Sequence, residues 1–280
     1  MSFIAATAAM APPKADGGDT LRRRVLSAAV LAPLALAAVW FGGLAFLALI
    51  LLAAVLLAWE WNGISGGGIL TLAVHGIAAV AAVALVYLNS AGWSLLAVAA
   101  GAVAAGIVGF ATRSGPKWPS LGVVYLTLPC IALVWLRADP ALGRETILWL
   151  LAVVWATDIG AYFAGRGIGG PKLWPRVSPK KTWSGLLGGA TAAAAVSAAV
   201  AFAFGLGGVV VLALVGAVLA VVSQVGDLTE SGFKRHFGVK DSSHLIPGHG
   251  GVMDRVDGLL IAVPVYALFV LVAGGTTAWS

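Results

Sequence analysis

An all-α bundle, a polytopic integral membrane protein with about nine transmembrane helices, is the fold this sequence predicts, and three observations predict it. Mean hydropathy is +1.00, only 10% of the 280 residues are charged, and uninterrupted apolar runs recur along nearly the whole chain. A hydrocarbon layer of ~30 Å takes about 20 helical residues to cross, and soluble domains carry far more charge. Helices are required because open strands would leave backbone groups unpaired in lipid. A barrel would show short alternating segments in place of continuous Leu, Val and Ala runs.

Residues 1–20 carry Pro12, Pro13, Gly17 and Gly18 and read as a mobile tail. The apolar part of that tail precedes the basic triplet Arg22–Arg24, the reverse of a secretory signal. The triplet abuts the first span, so the positive-inside rule sets that end in the cytoplasm. Spans are predicted at 25–41, 43–61, 69–88, 93–111, 120–136, 146–165, 184–204, 207–226 and 258–275. They divide into N-terminal transmembrane helices over 21–145 and a C-terminal transmembrane region over 146–280, where most of the acidic and basic residues gather and catalytic chemistry is to be sought, and nine crossings leave the C-terminus outside. Gly185 and Gly189, four residues apart, let helix backbones approach closely; general packing and a dimerisation face would look alike at this level. Cys130 is the single cysteine, which excludes an internal disulfide and a thiolate metal cluster and leaves an apolar filler. His75, inside an apolar run, reads as a hydrogen-bonded packing residue.

Charge is distributed unevenly. Of seventeen Lys and Arg and eleven Asp and Glu, the segment from Asp158 to Asp257 holds nine and six. The basic connections 166–183 and 227–257 follow spans six and eight, so both face the cytoplasm. They bring Lys172, Arg176, Lys180 and Lys181 to the same side as Lys234, Arg235, Lys240 and Arg255, where a polyanion could bind. Basic residues alone are also explained by anchoring and anionic-lipid contact, but acidic residues at the same depth add chemistry. Asp158 interrupts an apolar run, and ionisable groups at membrane depth face a cavity or a partner. If span eight continues helically, Asp227, Glu230 and Lys234 share one face. Asp254 and Asp257 repeat the three-residue spacing, and two helix ends carrying paired carboxylates suit a hard cation that also engages phosphates. Salt bridging to Lys234 and Arg255 is the plainer alternative.

Between those pairs runs the polar, glycine-rich stretch from Ser242 to Gly251, whose amides could approach an oxyanion closely. His236, His244 and His249 fit none of the usual zinc spacings. Gly165 to Gly170 matches a dinucleotide fingerprint in letters only, since no strand precedes it, and the stretch reads as a flexible basic loop.

Ser231-Gly232-Phe233-Lys234-Arg235, Lys240-Asp241, His249-Gly250-Gly251 and Asp254-Arg255-Val256-Asp257 together resemble the signature of the phosphatidate cytidylyltransferase family. Gly226-Asp227, Asp158 to Phe163 with Gly165-Arg166, and Ser178-Pro179-Lys180-Lys181-Thr182 are similar to that family's other motifs. Glu60-Trp61 and the segment from Arg24 to Ser27 extend the resemblance over most of the chain. It departs at Ser184, where family members commonly carry Glu.

The resemblance implies condensation of CTP with phosphatidic acid to CDP-diacylglycerol and pyrophosphate, with Mg2+ required, in a homodimer without a nucleic-acid partner. On that reading Asp227 and Asp254 hold the metal, and Asp158, Glu230 and Asp257 complete or orient its shell. A second cation such as K+ belongs to the same expectation. Lys180, Lys181, Lys234 and Arg235 clamp phosphates, and Arg255 contacts the lipid phosphate or a carboxylate. Ser178, Thr182, Arg166, Lys240, His249, Gly250 and Gly251 complete the substrate-binding set. The expected setting is a bacterial-type plasma (inner) membrane, with membrane lipids around the spans and the site on the cytoplasmic rim. The alternative from another class is an ion-coupled membrane transporter, which also uses intramembrane carboxylates and glycine-broken helices.

Overall fold

The computed structural model describes residues 17–205 and 208–274, with side chains from residue 25 onward. Of the tail expected over 1–20, only residues 17–20 are described, and they open the first helix; the rest, and the side chains of Arg22–Arg24, lie outside the described residues. Among the described residues nine helices stand where nine spans were predicted. In order they are α1 (Gly17–Phe41), α2 (Gly43–Ile64), α3 (Ile69–Tyr87), α4 (Ala91–Ala111), α5 (Lys117–Arg137), α6 (Gly143–Gly167), α7 (Trp183–Ala203), α8 (Val209–His236) and α9 (Met253–Val272). Among the described residues, α2 to α9 are each long and apolar enough to cross a membrane. In α1 the residues with described side chains form the apolar stretch Val25–Phe41.

The helices form two packed groups. Helices α2 to α5 pack on one another, α6 to α8 pack on one another, and α9 bridges α8 and α5. The closest pairing is α6 with α7, and small residues account for it. A Cβ on Gly160 would meet the Gly188 carbonyl oxygen at 2.7 Å, and one on Gly189 would meet the Thr157 carbonyl oxygen at 2.8 Å. Gly185 likewise lies against Ala161 and Gly165. The glycines whose spacing left two readings open are therefore used for packing within the chain.

A second joint lies at the other end of the bundle. Arg137 ends α5 and donates from Nε to the Val39 carbonyl (2.9 Å) and from Nη2 to that of Trp40 (3.3 Å). It satisfies carbonyls that the end of α1 leaves without intrahelical partners. Gly42, at φ +66°, follows immediately, and a Cβ there would meet the guanidinium at 2.4 Å.

The predicted loop at 166–183 is more ordered than its glycines suggest. Residues Lys172–Trp174 (β1) and Ser178–Thr182 (β2) form an antiparallel hairpin with Lys172 opposite Thr182 and Trp174 opposite Ser178. The Trp183 amide donates to the Pro171 carbonyl at 3.0 Å and closes the hairpin where α7 begins. Helix α8 is the longest, and its 28 residues span about 42 Å at 1.5 Å per residue. That exceeds a hydrocarbon core of ~30 Å, so α8 continues past the predicted end at 226 and carries its charged turns beyond the apolar part.

Candidate active site

The end of α8 supplies the central carboxylates. Because the helix continues to His236, Asp227, Glu230 and Lys234 fall on one face, as three- and four-residue spacing requires. Asp227 and Glu230 are both buried. Lys181, from β2, reaches Asp227 with an Nζ to Oδ2 distance of 2.5 Å. Lys234 lies 3.2 Å from Glu230 Oε1 and 2.6 Å from Asp254 Oδ1. Among the described residues no donor other than Lys234 reaches the Glu230 carboxylate.

Asp254 is the most heavily engaged of these acids. Its Oδ2 accepts from the Ser242 amide (2.9 Å), the Ser242 hydroxyl (2.9 Å) and the Gly251 amide (2.7 Å). Gly250, at φ +86°, lets the loop turn tightly here, and a Cβ on it would meet Asp254 Oδ2 at 2.6 Å. Asp257, one turn further along α9, accepts from the Gly258 amide and lies within Coulombic reach of Asp227, Glu230 and Asp158.

Two cavities flank these pairs. The larger, about 480 Å³, is lined by Lys240, Asp241, His244, Ile246, Gly248, His249, Gly250 and Arg255. The smaller, about 200 Å³, lies among α6, β2, α7 and α8 and is lined by Asp158, Ala161, Tyr162, Lys180, Lys181, Thr182, Gly185, Leu186, Gln224 and Asp227. Thr182 fixes the start of α7, its hydroxyl accepting from the Gly185 amide at 3.1 Å. Such a cap satisfies one of the helix's orphan donors.

The predicted residues therefore fall into three sets. Asp158, Lys180, Lys181, Thr182 and Asp227 surround the smaller cavity, and Lys240, His249, Gly250 and Arg255 surround the larger. Glu230, Lys234 and Asp254 form an ion-paired group joined to the loop. Others point elsewhere. Arg166 donates to the Tyr162 hydroxyl at 2.7 Å, Arg235 donates to the Val239 carbonyl at 3.1 Å, and Ser178 sits in the hairpin opposite Trp174. Ser184, standing where a Glu was expected, donates to the Gly169 carbonyl and lies 3.0 Å from the Thr182 hydroxyl. It ties α7 to the loop after α6.

The expectation that Asp227 and Asp254 hold a metal, with Asp158, Glu230 and Asp257 completing or orienting its shell, meets a constraint. Among the described residues no three His, Cys, Asp or Glu side chains converge as a ready-made metal centre. The oxygen donors still suit a hard divalent ion of the magnesium type, which commonly takes one or two carboxylates and completes its shell with water and substrate phosphate. The Glu230 carboxylate, buried and with Lys234 at 3.2 Å as its one described partner, keeps oxygen lone pairs that no hydrogen bond uses. His75 matches the sequence reading, its Nε2 lying 2.8 Å from the Pro119 carbonyl; His236 packs on Trp118.

Three contributors were not assigned roles from sequence. Glu60 reaches the loop from α2, Ser27 reaches His249 Nδ1 at 2.7 Å from α1, and Gln224 lines the smaller cavity. Glu60 was a lone acid near the end of an apolar run, and Glu60 and Ser27 both lie in segments that carry the family resemblance; Gln224 carried no signal beyond ordinary polarity.

Comparison with known proteins adds a second line. A family model described as the cytidylyltransferase family matches residues 22–273. The phosphatidate cytidylyltransferase of Brucella suis is 42% identical over 266 residues, covering 90% of this chain and 93% of that protein. The phosphatidate cytidylyltransferase of Pseudomonas aeruginosa is 43% identical over 267 residues, covering 91% and 98%. That of Staphylococcus haemolyticus is 41% identical over 153 residues, about half of each chain (54% and 57%).

Proposed function

Starting from the fact that this chain belongs to the cytidylyltransferase family, we propose that it condenses CTP with phosphatidic acid to give CDP-diacylglycerol and pyrophosphate. The observation that carries the reading is the pair of lysine–carboxylate contacts, Lys181 with Asp227 and Lys234 with Asp254, at one end of an apolar bundle. A phosphate monoester is already an anion at neutral pH, so the reaction needs little general-base help. Its difficulty is bringing two polyanions together, and fixed cations are the physical answer.

In this reading the phosphatidate phosphate oxygen attacks the α-phosphorus of CTP, the new P–O–P bond forms, and the bond to pyrophosphate breaks. Lys180 and Lys181 bind phosphate beside the smaller cavity, where a diacyl chain can remain among α6, α7 and α8. Lys240, His249 and Arg255, with loop amides near Gly250, receive the water-soluble nucleotide in the larger cavity. Lys234 stands between the two and offsets charge that grows during displacement. Asp227 and Asp254 would hold a divalent ion, with Asp158, Glu230 and Asp257 around them. When bound, such an ion supplies charge neutralisation on the phosphates and polarises the reacting phosphorus. A second cation such as K+ is part of the same proposal. Each of the two proposed ligands also faces a lysine, as buried carboxylates require a compensating charge.

Residence in a bacterial inner membrane, a cytoplasmic N-terminus and site, and a homodimer belong to the same proposal. The ion-coupled carrier weighed on the sequence has no support in the comparisons, whose named relatives are enzymes. The test is pyrophosphate release by purified, detergent-solubilised protein given CTP, Mg2+ and phosphatidic acid. Release that needs all three is expected; folded protein that releases none across several lipids would overturn the proposal.

A further inference from the structure

Glu60 lies near the end of α2, in the group of helices remote in sequence from the motifs, and its side chain is 1% exposed. Oε1 accepts from the Ser243 hydroxyl and the Val252 amide, both at 2.7 Å. Oε2 accepts from the Met253 amide at 2.7 Å and lies 3.1 Å from the Ser242 hydroxyl, whose one proton is shared between Glu60 and Asp254 Oδ2. An ionised carboxylate offers about four lone-pair sites, so one side chain is spent on a single loop and the first turn of one helix.

That helix needs it. The residue at the N-terminal boundary of α9 is Val252, which has no capping side chain. The first amides of a helix lack intrahelical acceptors, and the helix dipole favours negative charge at the same point. Glu60 supplies both from another helix. Gly251 leaves the space for it, since a Cβ there would meet the Ser242 hydroxyl at 2.0 Å and Glu60 Oε1 at 2.4 Å.

We propose that Glu60 is a positioning residue for the reaction. It is a cap supplied by α2 that fixes the loop from Ser242 to Val252 and, with it, the rotation of the first turn of α9. That turn carries Asp254 and Arg255 and leads into the turn that carries Asp257, and the loop carries His244, His249 and Gly250. Glu60 touches none of the cavity-facing groups of this set; it acts through the backbone that bears them. The role rests on the reaction proposed above, but the clamp itself does not.

The experiment uses full-length purified protein carrying Glu60→Ala, Glu60→Gln or, from the loop side, Ser242→Ala with Ser243→Ala. Backbone hydrogen exchange and steady-state kinetics are measured on the same preparations. In Glu60→Ala, exchange in 242–253 is expected to accelerate while α6 and α7 keep their protection. Turnover is expected to fall about 100-fold, the cost of a misplacement near 1 Å, with the KM for CTP rising and that for phosphatidic acid unchanged. Glu60→Gln, which keeps the shape and one acceptor, should recover part of both. The double serine variant keeps α2 intact and should fall between wild type and Glu60→Ala, so the idea is testable even if the alanine variant does not fold. Unchanged exchange in 242–253 would remove the clamp. Loosened exchange with wild-type kinetics would remove the positioning role. Wild-type protein without pyrophosphate release would defeat the assigned reaction and the positioning role together, while the exchange arm still decided the clamp.

Discussion

Helices α2 to α5 and α6 to α9 are built from the same apolar residue types yet bury polar groups in different ways. In the first group neutral side chains bond to backbone carbonyls. Ser94 donates to Ala82 at 2.7 Å, Ser120 to Ala102 at 2.8 Å, and the Trp61 indole to Trp118 at 3.0 Å. In the second group charged side chains meet each other, as in Lys181 with Asp227 and Lys234 with Glu230 and Asp254. Neutral bonds of the first kind hold helices together and can be replaced singly at small cost. Charges of the second kind are too costly at that depth to serve packing alone. Glu60 is the described exception, a carboxylate of the first group whose partners all belong to the loop and α9.

The comparison breaks or sharpens on four substitutions. Asp227→Asn keeps the shape and removes the charge facing Lys181, so turnover should fall on the order of 1,000-fold, as for loss of a key electrostatic group, with extraction and folding unchanged. Pyrophosphate release measures it, and turnover near wild type would take Asp227 out of the chemistry. Lys234→Met leaves Glu230 and Asp254 buried without their cation. Breaking such a pair costs about 3–5 kcal/mol, which should appear as a lower unfolding midpoint in the same detergent as well as lost activity. An unchanged midpoint would mean that the group serves catalysis without serving the fold.

The other two substitutions lie in the first group. Gly122→Ala would drive a methyl into Trp61, whose Nε1 lies 2.2 Å from that Cβ position. Overpacking of this kind costs about 1–3 kcal/mol, and thermal unfolding should register it while both KM values stay the same. Ser94→Ala removes one neutral bond and should cost about 1 kcal/mol or less. If its turnover fell tenfold or more, the division between a packing group and a reacting group would be wrong.

Much of this was legible beforehand because hydropathy is local. Each predicted span overlaps its helix, and the larger differences fall where turns bearing charged residues extend a helix, at 17–24 of α1, 227–236 of α8 and 253–257 of α9. The face shared by Asp227, Glu230 and Lys234 followed from helical geometry alone. The hairpin at 172–182 did not, because two short strands bounded by prolines and glycines carry no periodicity long enough to read.

Partner choice was beyond the sequence for the same reason. That lysines and carboxylates would gather at one end of the bundle was determined by composition, span length and the alternation of crossings. Which lysine faces which carboxylate was decided by contacts between residues far apart in the chain: 46 positions separate Lys181 from Asp227, and 192 separate Glu60 from Val252. Hydrophobicity says how deep a residue lies and nothing about rotation around the helix axis. Close backbone approach at Gly160 and Gly188, and the seating of the Glu60 side chain against Gly251, set that rotation, and only the packed structure makes them.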